Sequence, residues 1–294
     1  MRLPTFLLEG RKLPRIILSI QTPSSEKGQK IYLLMKKAYE MGAWCLDLPS
    51  ANHLESFRQL KRLTMDETLM GLGHLEVETG LSFLGRPLHQ YESKIISTIK
   101  KDLVPSHLPH HILPSSSTTE VFTQKEIDRI SFDPLRFDKA LSFFNPQESP
   151  FLLVGETYGD WILALGRIDL LHAMVLQVRE KGFLPIFSGQ WATFVLPKAK
   201  PLDVAAYAIP INKKWRLFDL EPATRLIKKF DKPVISLNPL AHGKLLKECE
   251  GAFSFLFDEL KIYAAVSQIA SEEEAKRILE GLKRFPSLIP SRKT

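Results

Sequence analysis

Short runs of Ile, Val, Leu and Phe alternate along the chain with longer stretches of helical period. A short continuous apolar run between turn signals fits a strand buried on both faces. Apolar residues at i, i+3, i+4 and i+7 fit a helix lying over it. Strands are expected at RIILSIQ (15–21), AWCLDLP (43–49), LMGLGHLEV (69–77), FLLVGET (151–157), FLPIFSG (183–189), VAAYAIPIN (204–212), PVISLNPL (233–240) and YAAVSQI (263–269). Eight such strands, nearly all followed by an amphipathic helix, predict an α/β fold of the (β/α)8 TIM-barrel type. Helix punctuation agrees with that frame. Ser271 precedes EEEAKRIL, Glu221-Pro222 opens EPATRLIKKF, and Met41-Gly42, Lys181-Gly182 and Lys232-Pro233 each close a helix before a strand.

Residues 104–150 break the rhythm between helix 3 and strand 4. VPSHLPHHILPSSSTTEV has no period and reads as a loop. TQKEIDRISFDPLRFDKALSFF reads as one or two helices, the first opened by the capping box Thr123-x-x-Glu126 and the second at Asp133-Pro134. A connection from helix to strand lies on the barrel face opposite the site. A lid that wraps over the edge is the alternative.

The 294 residues are 44% hydrophobic and 25% charged, an ordinary globular composition that excludes collagen-like, coiled-coil or wholly disordered chains. At about 150 residues per domain the length suits two domains or one α/β barrel. The strand count favours one barrel domain over 1–294, with 104–150 as an insertion. No apolar run approaches the roughly 20 residues that cross a bilayer, and Glu9, Arg11 and Lys12 interrupt the N-terminus too soon for a signal peptide. No membrane partner is expected, and a cytoplasmic location is. Forty Lys+Arg against 33 Asp+Glu give a net charge of +7. The basic pairs Lys36-Lys37, Lys100-Lys101, Lys213-Lys214 and Lys228-Lys229 are spread along the chain, which suits solvated faces and helix ends rather than a nucleic-acid footprint. Cys45 and Cys249 have no metal or redox spacing and read as reduced, buried residues.

Barrel enzymes carry their sites at the C-terminal ends of the strands. The polar residues expected there are Gln21, Asp47, His74, Glu76, Glu156, Ser188, Gln190, Asn212, Asn238 and Gln268. Polar groups on a partly buried rim need partners. A small-molecule substrate site is one reading, and mutual hydrogen bonding that closes the barrel top is the other. His74 and Glu76 alternate by two, so both are expected to point inward, beside Asp47 and Glu156. Such a set suits an acid–base cluster, a divalent-metal site (Mn, Mg, Fe or Zn), or a buried His–carboxylate pair that only holds the barrel together. Tyr158, Trp161 and Trp191 follow strands 4 and 5 and read as a substrate platform or as packing. His107, His110 and His111 resemble metal ligands by composition, in a tract that also reads as exposed loop.

Several segments resemble the aldo-keto reductases. LLEGRKLPRIILS is similar to their N-terminal hairpin and first strand, and AYEMGAWCLDLPSANHLE to their second strand and following loop, with Asp47 and Glu55 at the matching acidic positions. FLPIFSG is similar to the fifth strand, where Ser188 matches a residue that holds the nicotinamide amide. SLNPLAHGKLL (236–246) resembles the seventh strand and its Pro-Leu-x-x-Gly turn, which includes Asn238. VSQIASEEEAKRILEGL resembles the eighth strand and last helix. The resemblance implies a barrel with an N-terminal hairpin, carbonyl reduction, and NADP or NAD as cofactor, contacted by Ser188, Asn238, Lys276 and Arg277.

The departures fall on the chemistry. Asn52 stands where the family has its acidic Tyr, His74 near where its Lys ends strand 3, and Gly155-Glu156 where it has His. An amide has no proton to give as a general acid. Glu272, Glu273 and Glu274 follow Ser271 where a 2′-phosphate calls for Arg. The leading expectation is therefore a small-molecule enzyme on an aldo-keto-reductase-like barrel, a diverged oxidoreductase if hydride transfer persists, without the Tyr-based mechanism. Its catalytic candidates are Asp47, His74, Glu76 and Glu156. Its substrate contacts are Gln21, Asn52, Trp161, Gln190, Trp191 and Asn212. A lyase, isomerase or metal-dependent hydrolase using the same His and carboxylates is the alternative, and a non-catalytic binding barrel is the third.

Overall fold

The computed structural model describes residues 3–21, 28–103, 117–214 and 220–287. The chain begins with an antiparallel hairpin, β1 (Thr5–Leu8) and β2 (Arg11–Pro14), with Thr5 opposite Pro14. The first half of the barrel follows: β3 (Ile16–Ile20), α1 (Gly28–Glu40), β4 (Cys45–Leu48), α2 (Ala51–Thr64) and β5 (Met70–Leu75). Helix α1 shows why the pattern folds as it does, since Ile31, Leu34, Met35 and Ala38 recur at helical spacing and are the residues it buries.

After β5 come two short strands, β6 (Leu81–Phe83) and β7 (Arg86–Pro87), and helix α3 (Glu92–Leu103). The insertion then supplies α4 (Gln124–Ile127), β8 (Ile130–Phe132) and α5 (Pro134–Leu141). Thr123 and Glu126 form the expected capping box, and the Asp133 carboxylate accepts N–H bonds from Leu135 and Arg136 at the start of α5. The second half runs β9 (Phe151–Gly155), α6 (Glu156–Ala164), α7 (Ile168–Glu180), β10 (Leu184–Ser188), α8 (Ala192–Ala199), β11 (Ala206–Pro210), α9 (Leu220–Lys229), β12 (Val234–Leu237), α10 (Cys249–Ser254), β13 (Ala264–Ile269) and α11 (Glu272–Gly281).

Strands β3, β4, β5 and β9 to β13 form a closed barrel whose neighbours all run parallel. Each lies where the hydrophobic pattern predicts it. Ile17, Cys45, Leu72, Phe151, Leu153, Ile186, Ala206, Ala208, Ile235, Ala264 and Val266 fill the barrel together with Phe6, Leu8 and Leu13 of the hairpin. The hairpin enters at the start of β3, so it plugs the N-terminal end. Moving two residues along gives the next inward layer, which on five of the eight strands is polar: Ser19, Asp47, His74, Ser188 and Gln268.

The insertion is not confined to the opposite face, which corrects the simpler expectation. Strand β8, read from the sequence as helix or connection, pairs antiparallel with β6, a strand of the loop that follows β5. From Pro134 onward the chain fills the outer ring between α2 and α7. Arg58 of α2 donates to the Phe143 carbonyl and to Glu148, while Gln177 of α7 donates to the Pro134 carbonyl. Two glycines of β5 allow this close approach. A Cβ on Gly73 would lie 2.6 Å from the Phe144 ring, and one on Gly71 would lie 2.8 Å from Ser149 Oγ. Helix α3 lies against α6 instead, where the Tyr158 hydroxyl donates to Glu92. The histidines at 107, 110 and 111 lie outside the described residues. Cys45 and Cys249 are buried free thiols. Among the described residues, no helix is long and apolar enough to cross a membrane.

Candidate functional site

His74, near the C-terminal end of β5, touches a carboxylate with each ring nitrogen. Nε2 lies 2.7 Å from Oδ1 of Asp47 on β4, and Nδ1 lies 2.6 Å from Oε1 of Glu156. A neutral imidazole has one N–H, so two such contacts require the doubly protonated cation. Burial opposes that charge. The attraction of Asp47, then the hydrogen bonds from both carboxylates, outweigh it and push the His74 pKa up from 6.5 to about 10. The Asp47 side chain is 4% exposed, whereas that of Glu156 is 50% exposed. The buried carboxylate anchors the ring and the open one faces solvent.

The backbone beneath Glu156 is unusual. Gly155 ends β9 at φ +122° and ψ −80°, and Glu156 begins α6 in the left-handed region at φ +48°. Such conformations cost energy and persist where surrounding structure imposes them. The Glu156 N–H donates to Ser188 Oγ at 3.0 Å, from the end of the neighbouring strand β10. A Cβ on residue 155 would stand 2.5 Å from the Ser188 carbonyl oxygen, so only glycine fits.

Above the ring opens a cleft of about 690 Å³. The loops after β4, β5 and β9 line it with Ser50, Glu76, Glu78 and Tyr158, and the insertion adds Ala140, Phe143 and Phe144 as a wall. Glu78 is half-buried, and its pKa is raised, first by burial and then by the neighbouring charges of Glu76, Glu156 and Glu92, against a backbone hydrogen bond that lowers it. Tyr158 is 8% exposed, and burial followed by its bond to Glu92 pushes the phenol pKa up, so it stays protonated. Glu76, Glu78 and Glu156 line an opening whose lining, among the described residues, carries no Lys or Arg, a setting that disfavours strongly anionic molecules.

The expected site residues divide into two groups. Asp47, His74 and Glu156 come together. Glu76 does not join them: β5 ends at Leu75, the chain turns into a 3-10 segment, and the Glu76 side chain lies exposed on the cleft wall. The inward alternation that paired it with His74 stops one residue too early. Trp161 and Trp191 are each 4% exposed and pack against Tyr158 and Phe194, so they make core rather than a platform. Asn212 is fully buried, and its amide donates to the Asn238 carbonyl while its oxygen accepts the Lys214 N–H. The Asn238 side chain accepts the His242 N–H. Gln21, Asn52 and Gln190 are exposed at the rim, outside the residues that line the cleft. Glu78 and Glu92 were missed by the sequence reading; the Glu-x-Glu spacing after strand 3 was the available signal for Glu78. Asp160, one helical turn beyond Glu156, was missed too. Its buried carboxylate accepts the Gln190 N–H at 2.8 Å while its Oδ1 has no partner, and burial pushes its pKa up to about 8 against backbone bonds from Gln190 and Trp191.

A nicotinamide nucleotide with a 2′-phosphate does not fit the start of α11. Ser271 Oγ accepts the Glu274 N–H and the Glu274 carboxylate accepts the Ala270 N–H, so the Glu274 N–H at this helix start already has a partner. Three glutamates fill the first turn, while Lys276 and Arg277 lie exposed on the second. Among the described residues, no three His, Cys, Asp or Glu side chains are arranged to hold a metal ion.

No family model matches the sequence, and no curated protein matches it. Solved structures do match. An aldo-keto reductase from Bacillus halodurans in its holo form superposes with a TM-score of 0.63 at 11% identity, covering 98% of this chain and 93% of that one. An aldo/keto reductase from Brucella melitensis gives 0.58 at 12% identity, with 97% and 95% covered. One from Klebsiella pneumoniae, in complex with NADP and acetate, gives 0.52 at 13% identity, with 98% and 92% covered. The chain has the aldo-keto reductase fold, from the N-terminal hairpin to the last barrel strand.

Proposed function

We propose that the protein is a small-molecule enzyme that uses this fold for proton transfer at the Asp47–His74–Glu156 clamp, in place of a Tyr-based reduction. The observation that carries the reading is the His74 ring held between the carboxyl groups of Asp47 and Glu156 at the floor of the cleft. The His74 Nδ1–H holds Oε1 of Glu156 in place at 2.6 Å. The outer Glu156 oxygen is then free to take a proton from a bound substrate. Glu78, on the same cleft wall and with its pKa raised by burial, is the group placed to return one. A carboxylate that accepts a proton and a second carboxyl beside it that returns one are the elements of a proton-transfer site, and the net reaction is an isomerisation or elimination. The substrate is small, polar and not strongly anionic.

The test uses deuterium oxide and a panel of small carbonyl, hydroxy and amino compounds, followed by proton NMR. Loss of a substrate C–H signal that disappears in Glu156→Gln is expected. Hydride transfer is the second reading, supported by the fold of the neighbours. Oxidation of reduced nicotinamide nucleotides with the same panel, surviving Glu156→Gln, would favour it and overturn the first.

A further inference from the structure

We infer that Ser188 is a positioning residue that holds the strained Gly155–Glu156 turn and so keeps the Glu156 carboxylate on His74. This inference rests on the clamp being the working group of the cleft. The hydroxyl is 1% exposed and lies on the strand beside β9. It accepts the N–H of Glu156, the first residue of α6, at 3.0 Å. Gly155, just before that helix, has no side chain with which to cap it, and the neighbouring strand supplies an acceptor for one of the helix's free N–H groups. Because Glu156 is left-handed at φ +48°, its relaxed alternative is a different backbone turn, and a new turn moves the side chain. A carboxylate 2.6 Å from Nδ1 leaves little room for movement before the contact is lost.

The consequence is measured at the imidazole rather than at Ser188. The groups facing that ring are Asp47 from β4 and Glu156 from α6, with Glu76 and Glu78 on the cleft wall. Losing one hydrogen-bonded carboxylate is expected to lower the His74 titration midpoint by roughly one to three pH units. Long-range proton–nitrogen correlation spectra follow the ring through a pH titration, with the His74 signal identified by its absence in His74→Gln. Ser188→Ala removes one oxygen and adds nothing.

The expected result is a downward shift in Ser188→Ala, a downward shift in Glu156→Gln, and no further shift when the two are combined. A Ser188 that served only as a contact for a bound molecule would leave the titration unmoved. That outcome, or shifts that add in the double variant, would overturn the inference. The readout needs no substrate, so a shift without any proton exchange on the panel would sink the proposed reaction and leave the role of Ser188 standing.

Discussion

Among the described residues, the one side-chain partner of Asp47 is His74. The buried Oδ1 of Asp47 and the ring Nε2 are 2.7 Å apart, so the histidine is both the centre of the cleft and the counter-ion of a carboxylate inside the barrel. Removing one member of a buried pair strands the other, which typically costs on the order of 3–5 kcal/mol. His74→Ala is expected to fall in that range, measured by urea unfolding at pH 7. Glu156→Gln removes only the half-exposed partner and should cost no more than about 1 kcal/mol. Equal losses in both variants would contradict this asymmetry.

The same pair sets a pH dependence. The folded pKa of His74 is raised, from 6.5 to about 10. The folded state therefore binds the proton more tightly than the unfolded chain, and the stabilisation is complete below about pH 6.5 and lost as pH rises through 10. Wild-type stability should decline across that window, and His74→Gln should flatten the decline. A wild-type curve that is level from pH 7 to 10 would count against the imidazolium.

Asp160 contributes in a lower window. Its carboxyl is raised from 3.8 to about 8, so folding favours its protonated form, and stability from this group is complete below pH 3.8 and lost up to pH 8. Asn at this position keeps an acceptor for the Gln190 N–H and never ionises. Asp160→Asn should melt higher than wild type at pH 8.5 and close to it at pH 4.5. A variant that melts lower at pH 8.5 would show that the ionised form is needed.

Gly155→Ala tests the turn. At φ +122° an alanine is strained whatever the space, and its Cβ would meet the Ser188 carbonyl oxygen at 2.5 Å. A loss of at least roughly 1–3 kcal/mol is expected in denaturant unfolding. A neutral substitution would mean that the turn relaxes freely.

Reduced 2′-phosphorylated nicotinamide nucleotide is expected to bind weakly. Fluorescence titration at micromolar protein should show no saturation, and Lys276→Ala with Arg277→Ala should change nothing. Saturable binding near 1 μM, about −8 kcal/mol, would mean that these two cations replace the missing arginine.

The barrel was legible because strands buried on both faces write themselves as continuous apolar runs, and all eight appear where the pattern puts them. Asp47, His74 and Glu156 were legible because each stands alone as a charge at the end of such a run. Glu76 was misread because period-two reasoning holds only while the strand lasts, and β5 ends at Leu75. The roles of Trp161, Trp191 and Asn212 turn on which neighbour each side chain meets across the fold, which no local period encodes. The course of residues 134–149 beside β5 was signalled only by Gly71 and Gly73, two missing side chains that gain meaning once Phe144 and Ser149 are seen against them.

Strand β5 pairs with β9 across the whole insertion, and His74 and Glu156 are 82 residues apart in sequence. Contacts of such long range slow the folding of the chain that depends on them, because the entropy of closing a long loop is lost before the contact repays it. The clamp cannot exist on either half of the barrel alone. A chain arrested with β5 and β9 apart would keep the Asp47 contact, made between the neighbouring strands β4 and β5, and lack the Glu156 one, so the full rise in the His74 pKa would report that β5 and β9 have paired.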